Sequence, residues 1–105
     1  MEALVHEVEQ LRRSEPAVAL QRLEAGFADA LRRADAAGRG SLWRLRAHVL
    51  RSLRRVREAS VAYRRAAEWF AKAGDPREQG RCAIGRVDAL MYLGRYREEI
   101  GRAHV

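Results

Sequence analysis

Arg44, His48 and Arg51 stand at successive steps of four and three residues, a spacing that puts all three on one face of a helix. Guanidinium forks bind carboxylates bidentately, so this face offers chemistry for an acidic peptide or an acidic carboxy terminus. The imidazole between them would tune such binding between about pH 6 and 7. Catalysis has far less to work with. His6, His48 and His104 stand apart, with no pair at metal-ligand spacing, and neither a glycine-rich phosphate loop nor a serine-nucleophile motif occurs. Cys82 is the only cysteine, which excludes an internal disulfide framework and a cysteine-rich zinc site, and it reads as a small buried side chain. With His48 it would make a nucleophile and base only if the fold joined the two. The expectation is a protein without enzymatic activity, metal or cofactor.

Charge points toward anionic partners. The chain has 105 residues, enough for one domain with a modest core, and a formal net charge of +7 carried almost wholly by arginine, Lys72 being the sole lysine. Such a surface attracts polyanions or acidic proteins, although a GC-rich genome also inflates arginine and alanine together. The doublets Arg12-Arg13, Arg32-Arg33, Arg54-Arg55 and Arg64-Arg65 would suit phosphates. They alternate with acidic residues, however, and no helix-turn-helix signature or aromatic-interleaved basic stripe accompanies them, so nucleic acid ranks below protein as a partner. The first twenty residues are too charged for a signal peptide, and no later run approaches a membrane span. A soluble, cytoplasmic protein is expected.

An apolar content of 48%, many alanines and only two prolines favour an all-α fold. Gly74-Asp75-Pro76-Arg77-Glu78 is the clearest boundary: a glycine helix end, an aspartate N-cap, a proline at the first helical position and Glu78 as the reciprocal carboxylate of a capping box. Gly38-Arg39-Gly40-Ser41 reads as a second break capped by Ser41, Ser14-Glu15-Pro16 as a third, Arg54-Arg55 as a fourth and Gly94-Arg95-Tyr96 as a fifth. These breaks predict six antiparallel helices near 2–13, 16–37, 42–53, 56–73, 76–93 and 96–104. Apolar stripes such as Val56, Ala59, Tyr63, Ala66 and Phe70 need neighbouring helices to cover them. Trp43 and Tyr63 read as packing residues between hairpins.

The chain also repeats itself. Leu50, Leu53, Arg55, Arg57 and Glu58 recur forty residues later as Leu90, Leu93, Arg95, Arg97 and Glu98, the mark of a solenoid whose units cover one another. Trp43, Ala47, Leu50, Ala59, Tyr63 and Ala66, followed by Leu90, Leu93, Gly94 and Tyr96, resemble the tetratricopeptide repeat in its longer variant with Gly-Asp-Pro linkers. Arg54 in place of the turn glycine, Glu99 in place of an alanine and Val87 at a small-residue position depart from that pattern. The resemblance implies a right-handed superhelix of about six helices in a single domain, with 1–37 as a degenerate first hairpin, 41–74 as a repeat and 76–105 as a repeat with a shortened last helix.

It further implies a concave groove lined by the first helix of each hairpin, at Arg44, His48, Arg51 and Ser52, then Arg81, Asp88, Met91 and Tyr92. Some family members clamp a terminal carboxylate with lysine and asparagine. Here Arg44 stands in the lysine place but His48 and Gly85 replace the asparagines, which disfavours that clamp and leaves a looser basic groove. The half-length last helix would leave Val87, Leu90, Leu93 and Ile100 partly open. That suggests the amino-terminal piece of a longer protein or, alternatively, an end covered by a second copy. The expected function is therefore a protein-interaction module, a scaffold or adaptor. The alternatives are a regulatory or nucleic-acid-associated domain, or a self-association module.

Overall fold

Local punctuation explains most of the helix ends in the computed structural model, which describes residues 1–103 together with all their side chains except those of Tyr96, Glu99, Ile100, Arg102 and Ala103. His104, noted above as an isolated histidine, lies outside the described residues. Five helices follow one another: α1 (Glu2–Ser14), α2 (Pro16–Arg33), α3 (Ala36–Ser52), α4 (Val56–Lys72) and α5 (Pro76–Ala103), with no strand among the described residues. Pro16 and Pro76 each open a helix, where the missing N–H costs nothing. At the end of α4, Gly74 adopts φ +72°, its N–H donates to the Ala71 carbonyl, and Asp75 N–H donates to the Phe70 carbonyl. This pair of bonds closes the helix as a Schellman motif. Asp75 then caps α5 by accepting from Glu78 N–H at 3.1 Å.

Three sequence expectations change. Gly38-Arg39-Gly40-Ser41 is not a break: α3 starts at Ala36, capped by Asp35, whose carboxylate accepts from Gly38 N–H at 2.8 Å. Gly38 and Gly40 are buried inside the helix, and a Cβ on Gly40 would lie 2.9 Å from the Phe70 ring. These glycines are there for close approach, not for a turn. Gly94-Arg95-Tyr96 is not a turn either, because α5 runs through it, which makes five helices instead of six. Arg54, by contrast, does turn the chain, at φ +62°, with Arg54 N–H on Arg51 O and Arg55 N–H on Leu50 O forming a second Schellman closure. Finally, the capping box at α5 is only half made: Glu78 spends its carboxylate on Arg44 and Arg81 instead of returning it to the backbone. Charge-assisted bonds to two guanidiniums outweigh one neutral N–H.

Each helix packs on its sequence neighbour, and α1 also reaches α3. The stack is elongated, 51 × 30 × 18 Å, and its radius of gyration of 14.7 Å exceeds the roughly 13 Å of a compact chain this long. The core is continuous in α1 to α4 around Leu23, Leu50, Ala47, Ala59 and Tyr63. A second cluster of Ala66, Phe70 and Cys82 seats α5. Ala47, Ala59 and Ala66 are fully covered, so the helix axes come close at those points. Trp43 lies edge-on to Phe27 at 4.9 Å, and Tyr63 is buried, both acting as packing residues. No helix among the described residues is long and apolar enough to cross a membrane.

Candidate binding groove

The first, third and fifth helices border a cavity of about 530 Å³. Arg44, His48 and Arg51 line it from α3, as their spacing within one helix requires. Helix α5 contributes Glu78, Arg81 one turn on and Asp88 two turns further, and α1 contributes Glu9 and Arg12. Buried Tyr63 and Cys82 form part of the floor.

Carboxylates divide the arginines into two classes. Glu78 joins the two sides of the groove, accepting from Arg44 across it and from Arg81 at 3.0 Å along its own helix. Arg44 is further fixed by lying over the Phe70 ring, 5.4 Å from the centroid. The Arg51 side chain makes no hydrogen bond or ion pair among the described residues. Arg12 pairs with Glu9 at 3.3 Å through one terminal nitrogen, yet its Nε is buried with no acceptor. A buried N–H without a partner costs about 1 to 3 kcal/mol.

His48 lies edge-on to Tyr63 with ring centroids 5.6 Å apart. Its pKa is pushed below the ordinary 6.5, first by burial and then by the positive charges of Arg12 and Arg44, with Arg51 adding to them and Glu9 opposing. The imidazole is therefore neutral at pH 7, and the titration window expected from the sequence moves downward. A depressed pKa means the fold favours the neutral ring. The contribution is complete above about pH 6.5 and is lost as pH falls from there through the folded-state value. Denaturant midpoints at pH 7 and pH 5 should accordingly drop less for His48→Gln than for the parent protein; an equal drop would show that His48 does not carry this acid sensitivity.

The residues picked out on the sequence divide between neighbouring places. Arg44, His48, Arg51, Arg81 and Asp88 share the groove. Ser52 and Tyr92 instead line an adjoining cavity of about 390 Å³ beside Arg54 and Ala89. There the Ser52 hydroxyl donates to the His48 carbonyl at 3.0 Å, and the Tyr92 hydroxyl accepts from Arg54 at 2.7 Å. Met91 is exposed and lies outside both cavities. Glu9, Arg12 and Glu78 were missed. Glu9 and Arg12 look like an ordinary i, i+3 solvated pair within α1, and Glu78 looks like a cap, so their groove positions depend on helices distant in sequence.

Cys82 shares the cavity with His48, but burial raises its pKa, with Glu78 adding to the rise and Arg44 opposing it. A thiol held protonated is a poor nucleophile. Among the described residues, no group of three His, Cys, Asp or Glu side chains is placed to hold a metal ion. Comparison with protein-family models, with curated proteins and with solved structures returned no match to this chain.

Proposed function

We propose that the chain is a protein-interaction module, a tetratricopeptide-like superhelix whose groove receives an acidic peptide segment. One observation carries this reading: four arginines from three different helices converge on a single groove, against three carboxylates, around a neutral histidine. Glu78 holds Arg44 and Arg81 in place, while the Arg51 side chain remains for a ligand carboxylate, with the partly exposed Arg12 guanidinium beside it. Guanidinium forks on a rigid helical frame suit a carboxylate better than a passing counterion.

Nucleic acid is less favoured because most arginines of the doublets already have a partner on the surface of the chain itself. Arg32 and Arg33 both pair with Asp29, Arg55 grips Glu58 with two bonds at 2.9 and 2.7 Å, and Arg65 lies over Trp43. Fluorescence polarisation with a labelled oligoglutamate peptide, and with a DNA oligomer of equal charge, separates the two readings. The peptide should bind, and Arg12→Glu or Arg51→Glu should weaken it at least about tenfold, the value of one charge-assisted bond. DNA binding of equal strength that ignores both substitutions would overturn the proposal, and so would absence of peptide binding at low salt.

A further inference from the structure

Helix α5 is covered on one side and bare on the other. Cys82 and Ala89 are buried and Gly85 lies against the Tyr63 ring, so that stripe rests on α4. Half a turn away, Ile84, Val87 and Met91 are 64%, 53% and 52% exposed. Gly80 and Gly94 flank them on the same stripe, with no atom within 4 Å of where a side chain would begin. Steps of four, three, four and three connect Gly80, Ile84, Val87, Met91 and Gly94, which is the spacing of a seam for another helix. Single exposed apolar residues are ordinary, but an unbroken helical stripe of them marks a contact surface.

The flanking charges indicate which helix fits. Arg81 and Asp88 run along one edge of the seam, two turns apart; Arg81 already shares Glu78 on its own helix at 3.0 Å, and the Asp88 side chain has no ion pair or hydrogen bond among the described residues. A second α5 laid antiparallel, with the two-fold axis between Ile84 and Val87, seats each Ile84 against the other copy's Val87. It also sets each Met91 over the other copy's Gly80, where there is room for it. In the same alignment Arg81 faces Asp88 of the other copy, and symmetry repeats the pair. In a parallel pair Gly80 would face Gly80 across a gap, and Asp88 would meet Ala83 instead of an arginine. Sliding the antiparallel pair to match Asp88 with Arg95 would press Glu98 onto Val87. We infer that the chain associates with a second copy of itself through the outer face of α5, antiparallel, with Met91 over Gly80 and Arg81 paired to Asp88. The inference does not rest on a groove ligand, although Arg81, Ile84 and Asp88 also line the groove from α5.

Sedimentation equilibrium of the purified chain, from micromolar to submillimolar concentration, tests it. The mass should rise from 12.0 kDa toward twice that value. Val87→Glu, at an exposed position, should keep the chain monomeric with its helical circular dichroism unchanged. Asp88→Arg should weaken association at least about tenfold, and Arg81→Asp/Asp88→Arg together should restore it, because the swapped charges still meet. Oxidation of the Gly80→Cys/Met91→Cys double variant should give covalent dimers, whereas Gly80→Cys alone should not; native Cys82 is buried. A monomer at every concentration would overturn the proposal, as would a dimer that survives Val87→Glu, a charge swap without rescue, or cross-linking through Gly80→Cys alone.

Discussion

Phe70→Ala should lower the stability of the domain by about 3 to 5 kcal/mol, the usual cost of deleting a buried aromatic ring. Phe70 is 3% exposed and touches three helices: its ring fills the space opened by Gly40 in α3, it packs with Cys82 in α5, and its own carbonyl closes α4. Of its neighbours, Gly40, Ala66 and Cys82 are too small to refill the cavity left behind. At roughly 4 to 8 °C per kcal/mol for a domain of this size, the midpoint of thermal unfolding should fall by more than ten degrees. Phe70→Leu, which keeps most of the volume, should cost less than about 1.5 kcal/mol. Urea unfolding followed by circular dichroism reads both. A loss below about 1 kcal/mol for Phe70→Ala would mean that the ring does not hold α5 to the stack. The same variant should weaken the groove, because Arg44 rests on this ring.

The second large effect runs against helix propensity. Alanine is a better helix former than glycine by about 1 kcal/mol, and Gly40 lies within α3, so propensity alone predicts that Gly40→Ala stabilises. The added methyl would lie 2.9 Å from ring carbons of Phe70, a buried side chain with nowhere to go. Overpacking of this kind costs about 1 to 3 kcal/mol, so the net result should be a loss, measurable as a lower urea midpoint at unchanged slope. Gly85 repeats the situation, with 2.8 Å to the Tyr63 ring. Gly94 reverses it: nothing lies within 4 Å, so Gly94→Ala should stabilise by about 1 kcal/mol. In a Phe70→Leu background the penalty for Gly40→Ala should shrink, and the coupling between the two positions measures their contact. Equal effects of alanine at Gly40 and Gly94 would show that close packing is not what keeps glycine at position 40.

What could be read from the sequence was what neighbouring residues decide among themselves. Asp75 caps, Pro16 and Pro76 open helices, Gly74 takes a positive φ, and Arg44, His48 and Arg51 share a face, because each depends on groups within a turn or two. What could not be read was decided by contacts between helices. The forty-residue repeat shows this most clearly. Leu50 to Glu58 and Leu90 to Glu98 are close copies, yet the first turns at Arg54, a residue poorly suited to φ +62°, while the second stays helical through Gly94, which would take that conformation easily. The strain at Arg54 is offset because the chain folding back as α4 buries Val56, Ala59, Tyr63, Ala66 and Phe70 between α3 and α5. Gly40 became a packing point instead of a break for the same reason, since the approach of the Phe70 ring is invisible to local spacing. The groove divides in the same way: the sequence alone determined the arginine face of α3, with its all-helical frame. Only the tertiary structure brought Arg12 and Glu78 to that face, because bringing charges together across helices depends on how distant apolar stripes pack.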